Sequence, residues 1–445
     1  MPRLAWLLAV LAATACYRNN PESAECAANP NQPGCNGSGQ TACMASTDCK
    51  DQLKPACDTV DGQCYACTVK EPKLCLGTDT PHCDVHTCVG CFDDSDCNAG
   101  GSTAYGTGIC LPSGACAGVA GSTWLRTTPT GSPTADCVSA PCSLSHALDL
   151  ARSAATPTFI RLEVAGMYTP SSGAGFVIDT PPDKPVTIDA RGAMLHANGD
   201  APVVTVNPGK AGTLLGGTYE NGAGGNADGL SCEGTGAMPS KLAVHGATIR
   251  NNDQVGVSAV SCALTLARSI ITGNKKGGVS VTSGSFVIVG NAIYANPGGP
   301  NPPVLINNSA APPLARFEFN TVVGNTVDAA VTTAGVNCTA GSGFVARYNI
   351  IWGNKDKSGN DIAQTASTCP HEHSDIGPTA YSGIGTKAGL VSIAPGIAGG
   401  DWRLGNATLT ISGATPDVTG LAERDLDFQR RVAPINLGAD QLVAP

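Results

Sequence analysis

Apolar residues recur in register along the C-terminal two thirds of the chain when segments are aligned on an asparagine. The aligned asparagines are 22, 22, 29 and 29 residues apart: Asn252, Asn274, Asn296, Asn325 and Asn354. Weaker members, Asn198 and Asn221, precede them. The same offsets align three apolar columns: Leu242, Leu264, Phe286, Ala315 and Phe344; Val244, Leu266, Ile288, Phe317 and Ala346; Ile249, Ile271, Ile293, Val322 and Ile351.

Apolar columns two residues apart are typical of short strands that turn one face inward. The segments are too short and too often broken by glycine for a helical solenoid. The pattern therefore predicts an all-β fold, a right-handed parallel β-helix built as a single-stranded solenoid of about 22–29 residues per rung. Each rung would hold three strands and three turns, and the longer rungs would carry loops at their turns.

A second asparagine column contains Asn291, Asn320 and Asn349. A buried asparagine at a turn tolerates the left-handed backbone conformation and can hydrogen-bond to its stacked copies. Those bonds satisfy polar groups whose burial without a partner would cost about 1–3 kcal/mol each. We therefore interpret both asparagine columns as structural ladders rather than as catalytic groups.

The region before the repeat predicts a cap. Cys137 and Cys142 bracket a short loop, and Ser143 is a suitable N-cap for a helix with Leu144, Leu148 and Ala151 on one face. Such a helix would plug the open end of the solenoid. Residues 117–136 are rich in Gly, Ser, Thr and Pro and are interpreted as a linker or an extended leading strand. This interpretation places the β-helix with its cap at 137–440 and a short tail at 441–445.

Cysteines repeat between residues 43 and 116. Three tandem units of four cysteines begin at Cys43, Cys67 and Cys91, 24 residues apart. Each unit is too small to bury a core, so about two disulfides per unit, worth roughly 2–4 kcal/mol each, would have to stabilise it. The pairs Cys64-x2-Cys67 and Cys88-x2-Cys91 leave zinc knuckles as an alternative.

The N-terminus has the pattern of an export signal. Arg3 precedes an apolar run from Leu4 to Ala13 that is too short to span a bilayer, and small residues lead to Cys16. The interpretation is a signal peptide at 1–15 and a lipidated cysteine with a flexible tether at 16–42; cleavage of an ordinary secretory signal after Ala15 is the alternative. The chain has 21 cysteines, so lipid on Cys16 leaves an even number for an oxidising compartment.

Other cysteines are predicted to pin loops of the solenoid. The expected pairs are Cys232 with Cys262 and Cys338 with Cys369. Charged residues make up only 14% of the chain and the formal net charge is −9. Because no Lys/Arg-rich run is present to neutralise a phosphate backbone, the sequence argues against nucleic-acid binding.

Three segments resemble parts of known bacterial proteins. Residues 13–16 resemble the lipobox of lipoproteins, which with Tyr17 implies a lipid anchor in the outer membrane or at the cell surface of a Gram-negative bacterium. The closing segment resembles the choice-of-anchor Q proteins of the pectin-lyase-like superfamily, through Asn349 to Asn354, Asp361-Ile362, Ser374 to Gly377, Gly400 to Leu404, Asp425 to Asp427, Arg430-Arg431 and Leu437 to Asp440. That resemblance implies a surface-attached β-helix. The cysteine units resemble repeats in surface lipoproteins of myxobacteria.

Few residues suggest chemistry. Asn226, Asp228 and Gly229 resemble one of four polygalacturonase motifs, but the other three are missing, so Asp228 is interpreted as a turn residue. His371, Glu372 and His373, with Asp375, could ligate a metal from one strand face, but a solvated polar loop is the preferred interpretation and no metal is predicted.

Tyr294 and Trp352 are the candidate ligand-binding residues. They fall in one outward column with Val323 between them, and a row of exposed aromatic rings can stack on sugars. Packing under a loop or the C-terminal tail is the competing interpretation.

Two functional hypotheses follow from the sequence. The first is a non-catalytic surface module, without a cofactor, that binds a glycan or another envelope component. The second is a polysaccharide lyase or glycoside hydrolase, for which calcium would enter as a cofactor.

Overall fold

The computed structural model describes residues 43–68, 70, 75, 80–84, 86–91, 94–98, 108–111, 113–117, 122–170, 175–297, 299–308, 314–339, 344–377, 420–422, 424–427, 429, 431 and 435–439. The chain divides into two compact units, Met1–Ala120 and Gly121–Pro445. Cys16 and the predicted signal and tether lie outside the described residues. No helix in the described ranges has the length and apolar character needed to cross a membrane.

The second unit is a solenoid of three parallel sheets, and each strand pairs with the equivalent strand of the next rung. Sheet A contains Thr123–Ser132, Thr158–Leu162, Val186–Asp189, Ala211–Leu215, Ser240–His245, Cys262–Ala267, Phe286–Val289, Ala315–Glu318, Ala346–Arg347 and His371–Glu372. Sheet B contains Met167–Tyr168, Met194–His196, Thr218–Glu220, Thr248–Arg250, Ile270–Thr272, Ala292–Tyr294, Thr321–Val323, Ile350–Trp352 and Asp375–Gly377. Sheet C contains Phe176–Ile178, Val204–Val206, Leu230–Glu233, Val257–Val260, Val279–Thr282, Val304–Asn307, Thr333–Cys338 and Ala363–Thr365.

Strand pairing confirms the predicted parallel β-helix and its register. Leu264 pairs with Leu242 and Phe286, and Ile271 pairs with Ile249 and Ile293, as the sequence columns require. These side chains belong to one continuous core that runs through the solenoid. Two further strands, Thr326–Val327 and Lys355–Asp356, form a small parallel pair within the loops between sheets B and C.

The corner between sheets A and B has four residues in the first two rungs, at 163–166 and 190–193, and a constant length afterwards. From 216–217 to 373–374, every rung makes this corner with two residues. The first of the two always has a positive φ, and the positions are Gly216, Gly246, Arg268, Gly290, Phe319, Tyr348 and His373. Among these rungs, variation in length therefore comes from the other two corners.

The interpretation of residues 117–136 as a linker needs a correction. Thr123–Ser132 is the first strand of sheet A and pairs with Thr158–Leu162, as the leading-strand alternative proposed. Its alternating side chains explain this, because Leu125 and Thr127 are buried while Arg126 is exposed. The sequence rules underrated the strand because Gly, Thr and Pro dominate the segment.

The N-terminal end of the solenoid is capped as predicted. Leu144–Ser153 is a helix whose Ser143 Oγ accepts a hydrogen bond from the His146 N–H (3.3 Å). Its buried face is formed by Leu144, Ala147, Leu148 and Ala151. Beside it, the loop closed by the Cys137–Cys142 disulfide covers the edge of the first strand, where the Arg126 N–H donates to the Cys137 carbonyl (2.7 Å). A covered edge cannot recruit another strand.

A C-terminal segment, here called the strap (the described residues within 420–439), lies on the outer face of sheet B. It contains one 3-10 turn, Gly420–Ala422. The packing side chains are Leu421, Ala422, Leu426, Ile435, Leu437 and Ala439. Backbone bonds join the Gly438 N–H to the Tyr348 carbonyl and the Leu426 N–H to the Ala439 carbonyl (both 2.9 Å).

The first of the two compact units contains the three cysteine units, which are together called the stalk (residues 43–116). Its elements are a 3-10 turn Ser46–Asp48, the hairpins Ala56–Asp58 with Gln63–Tyr65 and His82–Asp84 with Thr87–Val89, and the helix Asp94–Asn98. Within each unit the first cysteine pairs with the third and the second with the fourth: Cys43–Cys57, Cys49–Cys64, Cys67–Cys83, Cys75–Cys88, Cys91–Cys110 and Cys97–Cys116. The zinc-knuckle alternative is therefore wrong, because its cysteines are oxidised.

Histidine and aspartate side chains join successive stalk units. His86 of the second unit contacts Asp58 of the first (2.7 Å) and stacks on Tyr65 with the ring centroids 3.8 Å apart. His82 contacts Asp96 of the third unit (2.7 Å). The hydrogen bond from the Val60 N–H lowers the pKa of Asp58, and the bond from His86 lowers it further. Polar contacts thus join neighbouring cysteine units, whereas each disulfide lies within a single unit.

Candidate functional site

The predicted asparagine columns form two buried hydrogen-bonded ladders. In the first, each Nδ2 from Asn252 to Asn325 donates to the Oδ1 of the next asparagine at 2.8–3.1 Å. At one end of this ladder the Gly222 N–H donates to Asn252 Oδ1, and at the other end Gln364 Oε1 accepts from Asn354 Nδ2 (2.9 Å). Every amide in it also bonds to backbone groups, so these side chains are committed to structure and not to a ligand.

The second ladder and the weaker members complete this picture. Asn291, Asn320 and Asn349 are joined in the same way, and the ladder is extended by Ser269 and Ser374, which the sequence analysis missed. Asn198 and Asn221 lie outside both ladders. Asn198 is an exposed loop residue, and Asn221 precedes the ladder position by one residue, at a corner with positive φ.

The solenoid's remaining disulfides are Cys232–Cys262 and Cys338–Cys369. Each joins a cysteine in a strand of sheet C to a cysteine at or just before the start of a later strand of sheet A. All four cysteines are almost fully buried. They fasten the corner between sheets C and A, where rung length varies.

Tyr294 and Trp352 lie in one outward column, with Val323 paired between them. Both rings pack against an apolar cluster that includes Ala422 and Leu437 of the strap, and Tyr294 also packs against the group that contains Leu426 and Ala439. This arrangement favours packing under the C-terminal tail over an open row for stacking on sugars. The sequence could not reveal this, because the strap follows Trp352 by about 70 residues.

The polar residues 371–375 are separated from one another. His371 points into the core, where its Nε2 contacts Thr365 Oγ1 (2.9 Å), and burial lowers its pKa to about 3. Glu372 faces outward and accepts from Arg347 Nε (2.9 Å), while the ring of His373 stacks on Tyr348. His371–Glu372 and Asp375–Gly377 are strands joined by the corner at His373 and Ser374, so the solvated-loop interpretation is wrong.

Asp228 has a structural partner in the next rung. Its Oδ1 accepts from the Val255 N–H (3.0 Å). Burial raises the pKa of this carboxyl to about 6, although the bonds from Val255 and Ser258 oppose the shift. The interpretation as a turn residue agrees with this geometry, because the bond fixes the loop of the following rung.

A polar cluster occupies the outer face of sheet B on rungs before those that contact the strap. His196, Glu220 and Arg250 are stacked in one outward column of three successive rungs. His196 Nε2 lies 2.8 Å from Glu220 Oε1, and Arg250 Nε donates to Glu220 Oε2 (2.5 Å). We call these three residues, with Asn221, the sheet B cluster.

The hydrogen bonds of the sheet B cluster set the roles of the two His196 ring nitrogens. Glu220 Oε1 accepts from His196 Nε2, which leaves Nδ1 as the acceptor of the ring. Asn221 Nδ2 faces that nitrogen at 3.3 Å. The side chain of Arg250 is 40% exposed, whereas that of Glu220 is 10% exposed. A buried carboxylate thus orients two groups that can still reach solvent.

The outer face of sheet A carries a second group of outward side chains, of which Arg126 is exposed and the others are half-buried. Trp124 and Phe159 stack in one column, and Arg126 and Arg161 pair in the neighbouring outward column. Both columns begin on Thr123–Ser132, the strand interpreted as a linker. The alternating pattern Trp-Leu-Arg-Thr at 124–127 was the available signal.

Comparisons with known proteins leave the family open. No protein-family model matches the chain, and no curated protein matches it. A crystal structure of the pectate lyase Pel9A is similar over 72% of this chain and 96% of that chain, with a TM-score of 0.37 and 14% sequence identity. The β-helix assignment rests on the strand pairing described above, and this likeness adds nothing about activity.

Proposed function

We propose that the protein is a lipid-anchored protein of the outer membrane or cell surface whose β-helix binds a polysaccharide or another envelope component without converting it. Cys16 would carry the lipid, and the stalk would serve as a spacer. Three resemblances support this proposal: the lipobox-like segment, the cysteine units and the closing motif of choice-of-anchor Q proteins. Residues of that motif contact the solenoid: Arg431 lies over the Phe319 ring, Leu437 packs in the adjoining apolar cluster, and the Gly438 N–H donates to the Tyr348 carbonyl.

The sheet B cluster is the observation that supports binding. Glu220 accepts hydrogen bonds from both His196 and Arg250, so their side chains are ordered before a ligand arrives. Ordering in advance reduces the conformational entropy lost on binding, which is of order 0.5–1.5 kcal/mol per immobilised side chain. The exposed edge of Arg250, with the Asn221 amide, offers donors to the hydroxyl and carboxylate oxygens of a sugar chain.

One observation favours the enzymatic alternative, a polysaccharide lyase or glycoside hydrolase. A histidine oriented by a carboxylate is a suitable general base, and His196 Nδ1 faces only the exposed Asn221 amide. Against a hydrolase, Glu220 is held in an ion pair with Arg250, and Asp189 of sheet A is held in ion pairs with Arg161 and Arg191. Binding is therefore preferred.

A polysaccharide panel incubated with and without calcium tests the proposal. We expect the purified chain to retard in gels containing one of the polysaccharides, without release of unsaturated or reducing ends. Arg250→Ala should weaken that retention on the order of tenfold, the equivalent of about 1.4 kcal/mol. Lys241→Ala, an exposed residue of sheet A, is the matched control and should have no effect. New chain ends that disappear in His196→Ala would establish the enzymatic alternative.

The anchor has its own test. Radiolabelled palmitate should enter the wild-type protein in a Gram-negative host and be lost in Cys16→Ala. Incorporation that survives this substitution would show that lipid is attached elsewhere.

A further inference from the structure

The two asparagines that lie outside the ladders are each followed by a glycine. The pairs are Asn198-Gly199 and Asn221-Gly222, and a third pair, at Asn36, lies outside the described residues. Both asparagine side chains are exposed, and both come directly or two residues after a strand of sheet B. The two pairs therefore share their residue types and their place in the rung, and they differ in what surrounds the glycine.

An asparagine followed by glycine can lose its side-chain amide without an enzyme. The backbone nitrogen of the glycine attacks Cγ of the asparagine and forms an N–Cγ bond. Its proton passes to water, water returns a proton to Nδ2, and Nδ2 leaves as ammonia. Water then opens the cyclic imide to aspartate or isoaspartate. Glycine favours the attack because it has no Cβ to crowd the ring, whereas an N–H in a buried hydrogen bond reacts only when that bond opens.

The backbone nitrogen of Gly199 is available for this attack. Its N–H donates to no residue in the part of the chain that the structure describes, and Gly199 is exposed. The chain is fixed only after this point, where Asp200 Oδ1 accepts from the Asn226 N–H (2.9 Å). The reacting atoms of Asn198 and Gly199 are thus open to water.

The backbone nitrogen of Gly222 is held by the first asparagine ladder. Its N–H donates to Asn252 Oδ1 (2.9 Å), and Gly222 is buried. Asn252 is itself fully buried, and its Nδ2 donates to Asn274 Oδ1 (2.8 Å). Attack on Asn221 therefore requires that the end of the ladder be broken first.

We propose that Asn198 deamidates in the folded protein and that the asparagine ladder protects Asn221 from the same reaction. Conversion of Asn198 adds a negative charge next to the loop residue Asp200. Conversion of Asn221 would instead place a carboxyl group beside His196, because Asn221 Nδ2 lies 3.3 Å from His196 Nδ1. The ladder thus preserves the amide of the sheet B cluster. This modification goes beyond the proposed function and needs no ligand.

Peptide mapping by mass spectrometry measures both reactions in the full folded chain, kept in mildly alkaline buffer. Trypsin places the two sites in separate peptides, which end at Lys210 and Lys241. The first peptide has one other asparagine, Asn207, which precedes proline and so lacks an attacking N–H. We expect Asn198 to be converted at least about tenfold faster than Asn221, the equivalent of about 1.4 kcal/mol of opening free energy at Gly222.

The unfolded chain is the control for local sequence. After reduction in guanidinium neither glycine N–H is held, so the two asparagines should be converted at similar rates. In the folded chain, Asn252→Ala releases the Gly222 N–H and should speed conversion of Asn221 while leaving that of Asn198 unchanged. Asn198→Gln should abolish conversion in the first peptide, because the longer side chain does not close the same ring.

Equal rates at the two sites of the folded chain, or slower conversion of Asn198, would overturn the inference. A difference that persists in guanidinium would do so too, as would an unchanged rate at Asn221 in a folded Asn252→Ala variant. Circular dichroism shows whether that variant is folded; if it is not, the folded and unfolded wild-type chains decide the question. No polysaccharide enters these measurements, so their failure leaves the proposed function standing.

Discussion

The guanidinium carbon of Arg431 lies 4.4 Å from the centroid of the Phe319 ring. Phe319 stacks on Tyr348, and Tyr348 on His373, with centroids 4.9 and 5.8 Å apart. These three rings occupy the left-handed corner position of three successive rungs. Arg431 also donates from Nη2 to the Gly438 carbonyl (2.9 Å). One side chain therefore bonds to another part of the strap and also contacts the aromatic stack.

Gly438 of the strap leaves no room for a side chain. Its φ is +79°, and an added Cβ would lie 2.5 Å from Thr321 Oγ1 and 2.7 Å from Ile350 Cδ1. We expect Gly438→Ala to destabilise the solenoid by about 2–4 kcal/mol, because a backbone penalty and a steric clash add together. Denaturant unfolding measures this loss.

Gly353→Ala is the matched control for Gly438. Its φ is +62°, but no atom lies within 4 Å of the added Cβ. Only the backbone penalty of about 1–2 kcal/mol should appear. Equal losses of unfolding free energy in the two variants would contradict the expected clash at Gly438, because the strap would then accommodate the added Cβ without cost.

The asparagine ladder predicts a large effect at its centre. Asn296→Ala removes the acceptor of the Asn274 N–H and Nδ2 and the donor to Asn325 Oδ1. Buried groups left without partners cost about 1–3 kcal/mol each, so we expect a loss of about 3 kcal/mol or more. Asn301→Ala, in a half-buried loop position outside the ladder, should change the unfolding free energy by less than about 0.5 kcal/mol.

The sequence predicted the repeated part of the molecule well, for a physical reason. Residues such as Leu264 and Asn274 stack on copies of their own type, so one alignment of the chain with itself reveals their positions. The candidate sites depend instead on single contacts between different residue types. Glu220 and His196 are 24 residues apart, and neither belongs to a repeating column.

Backbone conformation also concealed part of the structure. Arg268, Phe319, Tyr348 and His373 adopt positive φ at a corner where Gly246 and Gly290 occupy equivalent positions. A glycine at these places would have signalled the turn, but bulky residues do not. Stacking between neighbouring rings explains why Phe319 and Tyr348 are accommodated there.

Two buried histidines predict a loss of stability in acid. Burial lowers the pKa of His245 to about 3, with a smaller contribution from Arg268, and burial alone lowers the pKa of His371 to about 3. Below the ordinary histidine value of about 6.5, the unfolded chain takes up protons that the folded chain refuses. Their contribution to stability is therefore complete above about pH 6.5 and is lost as the pH falls toward 3.

Unfolding free energies between pH 7 and pH 4 measure this effect. Each histidine should contribute a slope of up to about 1.4 kcal/mol per pH unit. His371→Asn, which keeps a polar group near Thr365, should reduce the slope by roughly half of the histidine contribution. A slope equal to that of the wild-type protein would show that His371 is protonated in the folded state.

Reduction should affect the two units of the chain differently. The described apolar clusters of the second and third stalk units consist of cysteines, so opening the disulfides removes their cores. The solenoid keeps its continuous apolar core and its backbone pairing. After treatment with dithiothreitol, limited proteolysis should cut within residues 43–116 and spare the strands of sheets A to C. Early cleavage inside the solenoid would contradict this.

Because the corner between sheets A and B has two residues from 216–217 onward, equivalent side chains on these sheets recur at a regular spacing along the solenoid. Each rung advances by roughly 4.8 Å, whatever the length of the loops at the other corners. The outward side chains of sheet B from Glu220 onward, such as Glu220 and Arg250, are therefore evenly spaced along the solenoid. Loops can grow or shrink at the other two corners without changing the distances between the side chains of the sheet B cluster.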